Sequence, residues 1–271
     1  MSLSVLMSIY ADVSPFEIER CLKSLIDQEL TSDQIVLVRD GPIKESVEQC
    51  IGDYASQLPF EHVFLTQNRG LGHALRIGLE SCKFEIVARV DADDISLPKR
   101  FFLQTRFLAQ NPTLSVLGGW MSESHQHNGS QNTVIRKPPI EPKAIIRYAR
   151  RRNPLNHPTV MFRKSSVLSC GGYQPCLMFE DYFLWARMLM NGYKLANMPQ
   201  TLVTTQVDRN YFSRRGGVAY LRHEIRLLRK LYNIGFLSLD QATIFLLIRL
   251  PVRLLPLSIR TIFYQGILRA N

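Results

Sequence analysis

The sequence predicts an α/β domain built on a mostly parallel sheet with helices on both faces, and three observations carry that reading. Short apolar runs rich in β-branched residues alternate with stretches of helical periodicity. The 271 residues, 46% hydrophobic and 21% charged, suffice for one large domain or a domain with an appended piece. Three of the apolar runs end on Tyr10, Asp40 and Asp91, at the carboxyl ends of strands where open parallel sheets bind ligands.

The first run, "LSVLMSIY" (3–10), and the second, "QIVLV" (34–38), read as buried parallel strands closed by polar or Gly-Pro punctuation. Between them "PFEIERCLKSLIDQEL" spaces Phe16, Ile18, Cys21, Leu22, Leu25 and Ile26 as one helix face. The alternation repeats with "ESVEQCIGDYASQL" as helix, "HVFLT" as strand, "LGHALRIGLESC" as helix and "FEIVARV" as strand. Right-handed crossovers follow for parallel strands joined in this way. Beyond Pro98 the sequence predicts a helix, a strand at "LSVLGGWM" (114–121), a polar loop at "SESHQHNGSQN", and a helix through "EDYFLWARMLMNG".

The formal net charge is +10 and is concentrated in the tail: from Thr201 onward, 11 Arg and Lys stand against Asp208, Glu224 and Asp240. The tail's longest uncharged stretch is shorter than the ~20 residues of a spanning helix. Arg249, Arg253 and Arg260 share a narrow helical sector, with Pro251 and Pro256 expected to kink or break the helix. This is the pattern of an interfacial segment with arginines at anionic head groups, the alternative being helices packed on the catalytic domain as ordinary core, and its aliphatic content argues against nucleic acid. The units are therefore 1–216 and a basic amphipathic tail, 217–271. Five scattered cysteines without a CxxC read as reduced thiols, and the N-terminus has no signal-peptide pattern, so the expected compartment is cytoplasmic.

"EIVARVDADDISLPKRF" (85–101) ends an apolar strand on three carboxylates. Period two puts Asp91 and Asp93 on one side, suited to a hard divalent cation such as Mn²⁺ or Mg²⁺ that keeps sites open for phosphate oxygens. Helix capping by Asp93 and Asp94 is the alternative for the isolated segment. An EF-hand fails because Ser96 stands where its glycine belongs, and no glycine fingerprint for a dinucleotide follows the first strand. His125 and His127 alternate without a third zinc ligand.

Six blocks, "SVLMSIY", "IVLVRDGP", "NRGLGHALRIGL", "IVARVDADDISLPKRF", "NHPTVMFRKS" and "FEDYFLWARM", resemble in order and spacing the family 2 glycosyltransferases of GT-A fold. The resemblance covers residues 3–215 and is greatest to bacterial enzymes of O-antigen, capsule and exopolysaccharide assembly, including the amylovoran type. It implies a Rossmann-like sheet and an inverting hexosyltransferase. A UDP-sugar, galactose first among candidates, would be the donor, and a lipid-diphosphate-linked sugar such as GlcNAc-diphospho-undecaprenol the acceptor. It implies metal ligation by Asp91 and Asp93, and donor contacts from Tyr10, Asp40, Asn68, Arg214 and Arg215. Asp181 becomes the catalytic base, with Glu180 and His157 at the acceptor. Relatives often carry an acidic residue before the equivalent of Asp40; here it is Arg39. The implied location is peripheral, on the cytoplasmic face of a bacterial inner membrane. Two rival readings use the same features: a metal-dependent sugar-phosphate phosphatase or nucleotidyl enzyme built on Asp91 and Asp93, and a non-catalytic membrane-docking protein.

Overall fold

The computed structural model describes residues 1–127, 130–207 and 216–254. Their nine strands form one sheet in the order β3-β2-β1-β4-β8-β6-β9-β5, with β7 paired to β6. The strands β1 (Leu3–Ile9), β2 (Gln34–Asp40), β3 (Phe60–Leu65) and β4 (Ile86–Asp91) are parallel neighbours. Helices α1 (Pro15–Ile26), α2 (Glu45–Asp53) and α3 (Leu71–Ser81) make the crossovers.

Period-two alternation divides β1 between two cores. Leu3, Val5, Met7 and Ile9 join α1 on one face, while Leu6 meets Ala74, Leu75 and Leu79 of α3 on the other. Burying each large aliphatic side chain contributes roughly 1.5–3 kcal/mol. Helix α1 starts where Ser14 accepts from the Glu17 N–H (3.2 Å) and Glu17 accepts from the Ser14 N–H (2.9 Å), a reciprocal cap before Pro15.

The second half of the sheet is mixed, where the sequence predicts a largely parallel one. The short β8 (Met161–Arg163) runs antiparallel to both β4 and β6 (Leu114–His127). Strand β6 is parallel to β9 (Lys194–Val207), and β5 (Asp94–Ser96) closes the far edge antiparallel to β9. Within the predicted polar loop at 122–132, residues 122–127 are instead the end of β6 and 130–132 the start of β7 (Ser130–Arg136), which pairs with it. Asp93 and Asp94 do not cap the next helix: α4 (Arg100–Gln110) begins after Lys99 without a side-chain cap, and Asp94 opens β5.

Helix α5 (Pro142–Ala149) and a 3₁₀ turn (His157–Thr159) precede β8, and α6 (Lys164–Ser169) follows it. The buried helix α7 (Glu180–Met190) comes next, and α8 (Gly217–Asn233) and α9 (Leu239–Leu254) form a C-terminal hairpin. The hairpin shares a core with α7: Tyr220, Leu227, Leu231 and Phe245 cluster with Tyr182, Phe183 and Ala186. Of the arginines expected at head groups, Arg249 and Arg253 turn inward, while Arg260 and Pro256 lie outside the described residues. Arg249 and Arg253 both bind Glu224 at 2.7 Å, and Arg253 covers the Tyr220 ring. A buried carboxylate on α8 is a stronger partner for them than water. Helix α9 continues through Pro251, whose missing N–H frees the carbonyl of Leu247, a residue on the exposed side. No helix among the described residues is long and apolar enough to cross a membrane.

Candidate active site

Register fixes the site. Ile9 lies opposite Arg39, and Ser8 opposite Asp91, so Tyr10, Asp40 and Asp91 emerge along one sheet edge. Adjacent strands are about 4.8 Å apart, which sets β2 and β4 roughly 10 Å apart across β1.

At the β4 end, Asp91, Asp93 and Asp94 each offer an oxygen within 4.8 Å of the others. Three hard oxygen donors so close fit a divalent cation by donor chemistry and number. Arg89, one pleat before Asp91 and almost wholly buried, forms an ion pair with it. Arg100 is buried below, with Nη2 donating to the Arg89 carbonyl at 2.7 Å and Nη1 to Ser96 Oγ at 2.9 Å. Burial, followed by repulsion from Arg89, lowers Arg100 to about 9. The chain just past α1 supports the turn from beneath, where Gln28 donates to the Leu97 carbonyl (3.0 Å) and accepts from the Phe101 N–H (3.2 Å).

The protein wall around Asp93, then the charge of Asp91, push Asp93 up to about 6 although part of it faces solvent. Asp94 is buried and held well above the usual carboxylate range, by desolvation first and its two neighbours next. A cation reverses this crowding because it prefers the ionised carboxylates. Protonation competes with metal, so affinity rises with pH through the Asp93 transition near 6. Mn²⁺ titrated at pH 5 is expected to bind about tenfold more weakly than at pH 7.5, since about one carboxyl in ten ionises one unit below its pKa. A pH-independent Kd would contradict this coupling.

Asp40 is buried, and both its oxygens are engaged at 2.9 Å, one by the Arg69 N–H and one by that of Gly70. The exposed Asn68 also accepts from the Gly70 N–H, at 3.0 Å. Gly41 has φ +82°, and a Cβ there would meet the Asn68 nitrogen at 2.6 Å. Asp40 and Gly41 therefore clamp the loop that opens α3. Arg39 points elsewhere: it binds Glu48 with two nitrogens (2.5 and 2.7 Å), meets His62 Nδ1 at 2.9 Å and covers Phe64. It braces β2 against α2 and β3. Tyr10 is 41% exposed beyond β1, on the ligand edge.

The N-terminus of α7 supplies the second acidic pair. Asp181 accepts a short hydrogen bond from Asn153 Nδ2 on its Oδ2, and burial raises its pKa. Glu180 is pressed against Gly72 at the start of α3, and burial lifts it to about 7 while backbone groups of Gly72 and Met178 oppose the rise. A Cβ on residue 72 would lie 2.4 Å from Glu180 Cγ. Gly72→Ala is thus expected to cost about 1–3 kcal/mol in urea unfolding, by overpacking. An unchanged midpoint would mean that Glu180 moves aside freely.

Half-buried His157 meets the Tyr173 hydroxyl at 2.9 Å through Nε2 and packs edge-on against Trp185. Burial and then the Arg89 charge hold it well below the usual imidazole range, so it is neutral. Arg214 and Arg215 lie outside the described residues.

The structure therefore brings Asp91 and Asp93 together with Asp94, and adds Arg89, Arg100, Asn153 and Tyr173, which sequence reasoning passed over. The available signal was a charge inside an apolar strand, Arg89 in "IVARV".

The family model for Glycosyl transferase family 2 matches residues 4–172. The chain belongs to that family. It is a glycosyltransferase, and family membership displaces the phosphatase and scaffold readings. It is 38% identical to the amylovoran biosynthesis glycosyltransferase AmsE of Erwinia amylovora, over 97% of each chain. It is 33% identical to a UDP-Gal:α-D-GlcNAc-diphosphoundecaprenol β-1,3-galactosyltransferase of Escherichia coli, over 98% of this chain and 96% of that one. Among solved structures, S. aureus TarS 1–349 in complex with UDP-GlcNAc superposes with TM-score 0.66 at 18% identity, over 86% of this chain and 67% of that one. The Pyrobaculum calidifontis mannosyltransferase PcManGT, in complex with GDP-Man and Mn²⁺, gives 0.59 at 19% identity, over 97% and 79%. The glycosyltransferase has the GT-A fold.

Proposed function

We propose that the protein transfers a hexose, galactose in the first instance, from a UDP-sugar to a sugar carried on a lipid diphosphate, GlcNAc-diphospho-undecaprenol being the leading acceptor. The observation that carries the reading is the carboxylate trio at the sheet edge shared by β1, β2 and β4. Full-length similarity to a galactosyltransferase whose name specifies that donor and acceptor supports it.

Asp91 and Asp93, joined by Asp94, would hold Mn²⁺ or Mg²⁺, which when bound supplies positive charge for the departing diphosphate. Tyr10 lies at the edge for the base, and the loop at Asn68 and Gly70, fixed by Asp40, borders the donor. Asn153 holds Oδ2 of Asp181 and orients the carboxylate toward the acceptor hydroxyl. Burial strengthens Asp181 as a base. As it takes the hydroxyl proton, the acceptor oxygen bonds to the anomeric carbon and the bond to the UDP oxygen breaks on the opposite face, inverting the configuration. Glu180 and His157 frame the acceptor side, and Arg214 and Arg215 would close over the diphosphate.

The reading takes residues 217–271 as an appended unit, of which the described helices α8 and α9 pack on α7, meeting an anionic cytoplasmic bilayer face. Arg222, Arg226 and Arg229 line the outside of α8, and Ile244, Leu247 and Ile248 are exposed on α9, which supports interfacial contact. The test is a panel of UDP-galactose, UDP-glucose, UDP-GlcNAc and a nucleotide-rhamnose with a lipid-diphosphate GlcNAc acceptor and Mn²⁺. The expected product is a disaccharide lipid formed fastest from UDP-galactose, with inverted linkage. Failure of every donor with folded protein sinks the reading.

A further inference from the structure

We propose that a cationic cleft between α5 and α9 binds the diphosphate and first prenyl units of a lipid-linked acceptor, an inference that rests on the acceptor class given above. The cleft has a volume of about 540 Å³, and its walls include Arg147, Tyr148, Arg150 and Arg151 on one side and Gln241 and Ile244 on the other. All three arginines are exposed, and among the described residues none forms an ion pair. The acid near the rim, Asp240, is held by Ser238 Oγ and leaves positive charge in excess. Guanidinium forks match the oxygens of a diphosphate, and three in one open cleft complement its charge.

The cleft wall is tied to the catalytic pair at alternate residues. Ala149 accepts from the hydroxyl of Tyr182, the neighbour of Asp181, and the Arg151 carbonyl accepts from Arg249 Nη2 at 2.7 Å. Asn153 then holds Asp181 itself. Two residues of extended chain span at most about 7 Å, so Arg151 lies close to the Asp181 clamp. In a lipid-diphosphate sugar, the attacking hydroxyl and the diphosphate sit on opposite sides of one ring, so an acceptor with its hydroxyl at Asp181 needs its diphosphate site only a short way off. Beyond the arginines, the exposed apolar side chains of Ile244, Leu247 and Ile248 follow one another along α9 and continue out of the cleft as a surface for hydrocarbon.

The experiment is calorimetric titration of the full chain with farnesyl diphosphate in chelator, so that the carboxylate trio cannot capture the probe through metal. Wild-type protein is expected to bind, Arg147→Gln/Arg150→Gln at least tenfold more weakly, and inorganic diphosphate about tenfold more weakly than the prenyl form. Ile244→Ser/Ile248→Ser should weaken the farnesyl probe and leave inorganic diphosphate unchanged. Equal binding by wild type and the arginine variant, or no binding by folded wild type, overturns the proposal. Inorganic diphosphate binding as tightly as the prenyl form overturns its lipid half. The readout needs no sugar transfer: arginine-dependent binding without transfer would keep the cleft and remove the acceptor assignment. Transfer with arginine-independent binding would do the reverse.

Discussion

Asp181→Asn is expected to lower kcat about 10²–10⁴-fold while the KM for the UDP-sugar changes little. The amide has nearly the same shape and can still meet Asn153, so the α7 terminus stays in place. It cannot take the acceptor proton. Burial raises the Asp181 pKa, which makes the ionised group a better base than a solvated aspartate and enlarges what the substitution removes. Single-turnover transfer with UDP-galactose separates the chemical step from binding. A folded Asn variant with kcat within a few-fold of wild type would move the base elsewhere, and buried Glu180, raised to about 7, is the nearest replacement.

Glu224→Gln is expected to be the most damaging single change to stability outside the sheet. Glu224 is 2% exposed and holds Arg249 and Arg253 together, so its neutral isostere leaves two guanidinium groups facing each other in a shared core. Losing one member of such a buried set costs about 3 kcal/mol or more, or a Tm fall of roughly 6–12 °C for a chain of this size. Desolvation alone would raise the Glu224 pKa, yet the hydrogen bonds and charges of Arg253 and Arg249 outweigh it and hold it below the usual range. A depressed carboxylate contributes stability above its unfolded pKa and loses it as pH falls through the lower folded value. The hairpin should therefore loosen in acid, below about pH 4.3, and limited proteolysis within α8 and α9 should follow the same profile. Replacing Glu224, Arg249 and Arg253 together by apolar residues of similar volume is expected to recover much of the loss. If Glu224→Gln melts with wild type, the triad does not anchor the hairpin.

How much could be read from the sequence differed by element, for physical reasons. Strands β1, β2 and β4 were legible because parallel strands covered on both faces are continuous apolar runs, and the acids at their ends follow from where such sheets bind ligands. The paired ends of β6 and β7 looked like a loop because residues 122–127 and 130–132 are polar, which hides strand alternation. Strand β9 was obscured by Pro199 and by irregular pairing with β6 near Gly119 and Trp120. At the candidate site, Asp91, Asp93 and Asp181 could be singled out from motif and resemblance. The supporting charges were not, because Arg89, Arg100 and Asn153 reach the acids only across the tertiary fold. The tail shows the limit of helical periodicity. It located Arg249 and Arg253 on one sector and could not say that Glu224 was waiting beneath it.

The central claim is that the carboxylate trio makes a metal-dependent UDP site. Its most direct test is calorimetry of UDP binding to wild-type protein and to Asp93→Ala, each in Mn²⁺ and in chelator. The account predicts binding to wild type that weakens at least tenfold in chelator, and no gain from Mn²⁺ in the variant. Equal UDP affinity in all four titrations, or a full Mn²⁺ response without the Asp93 carboxylate, would contradict it.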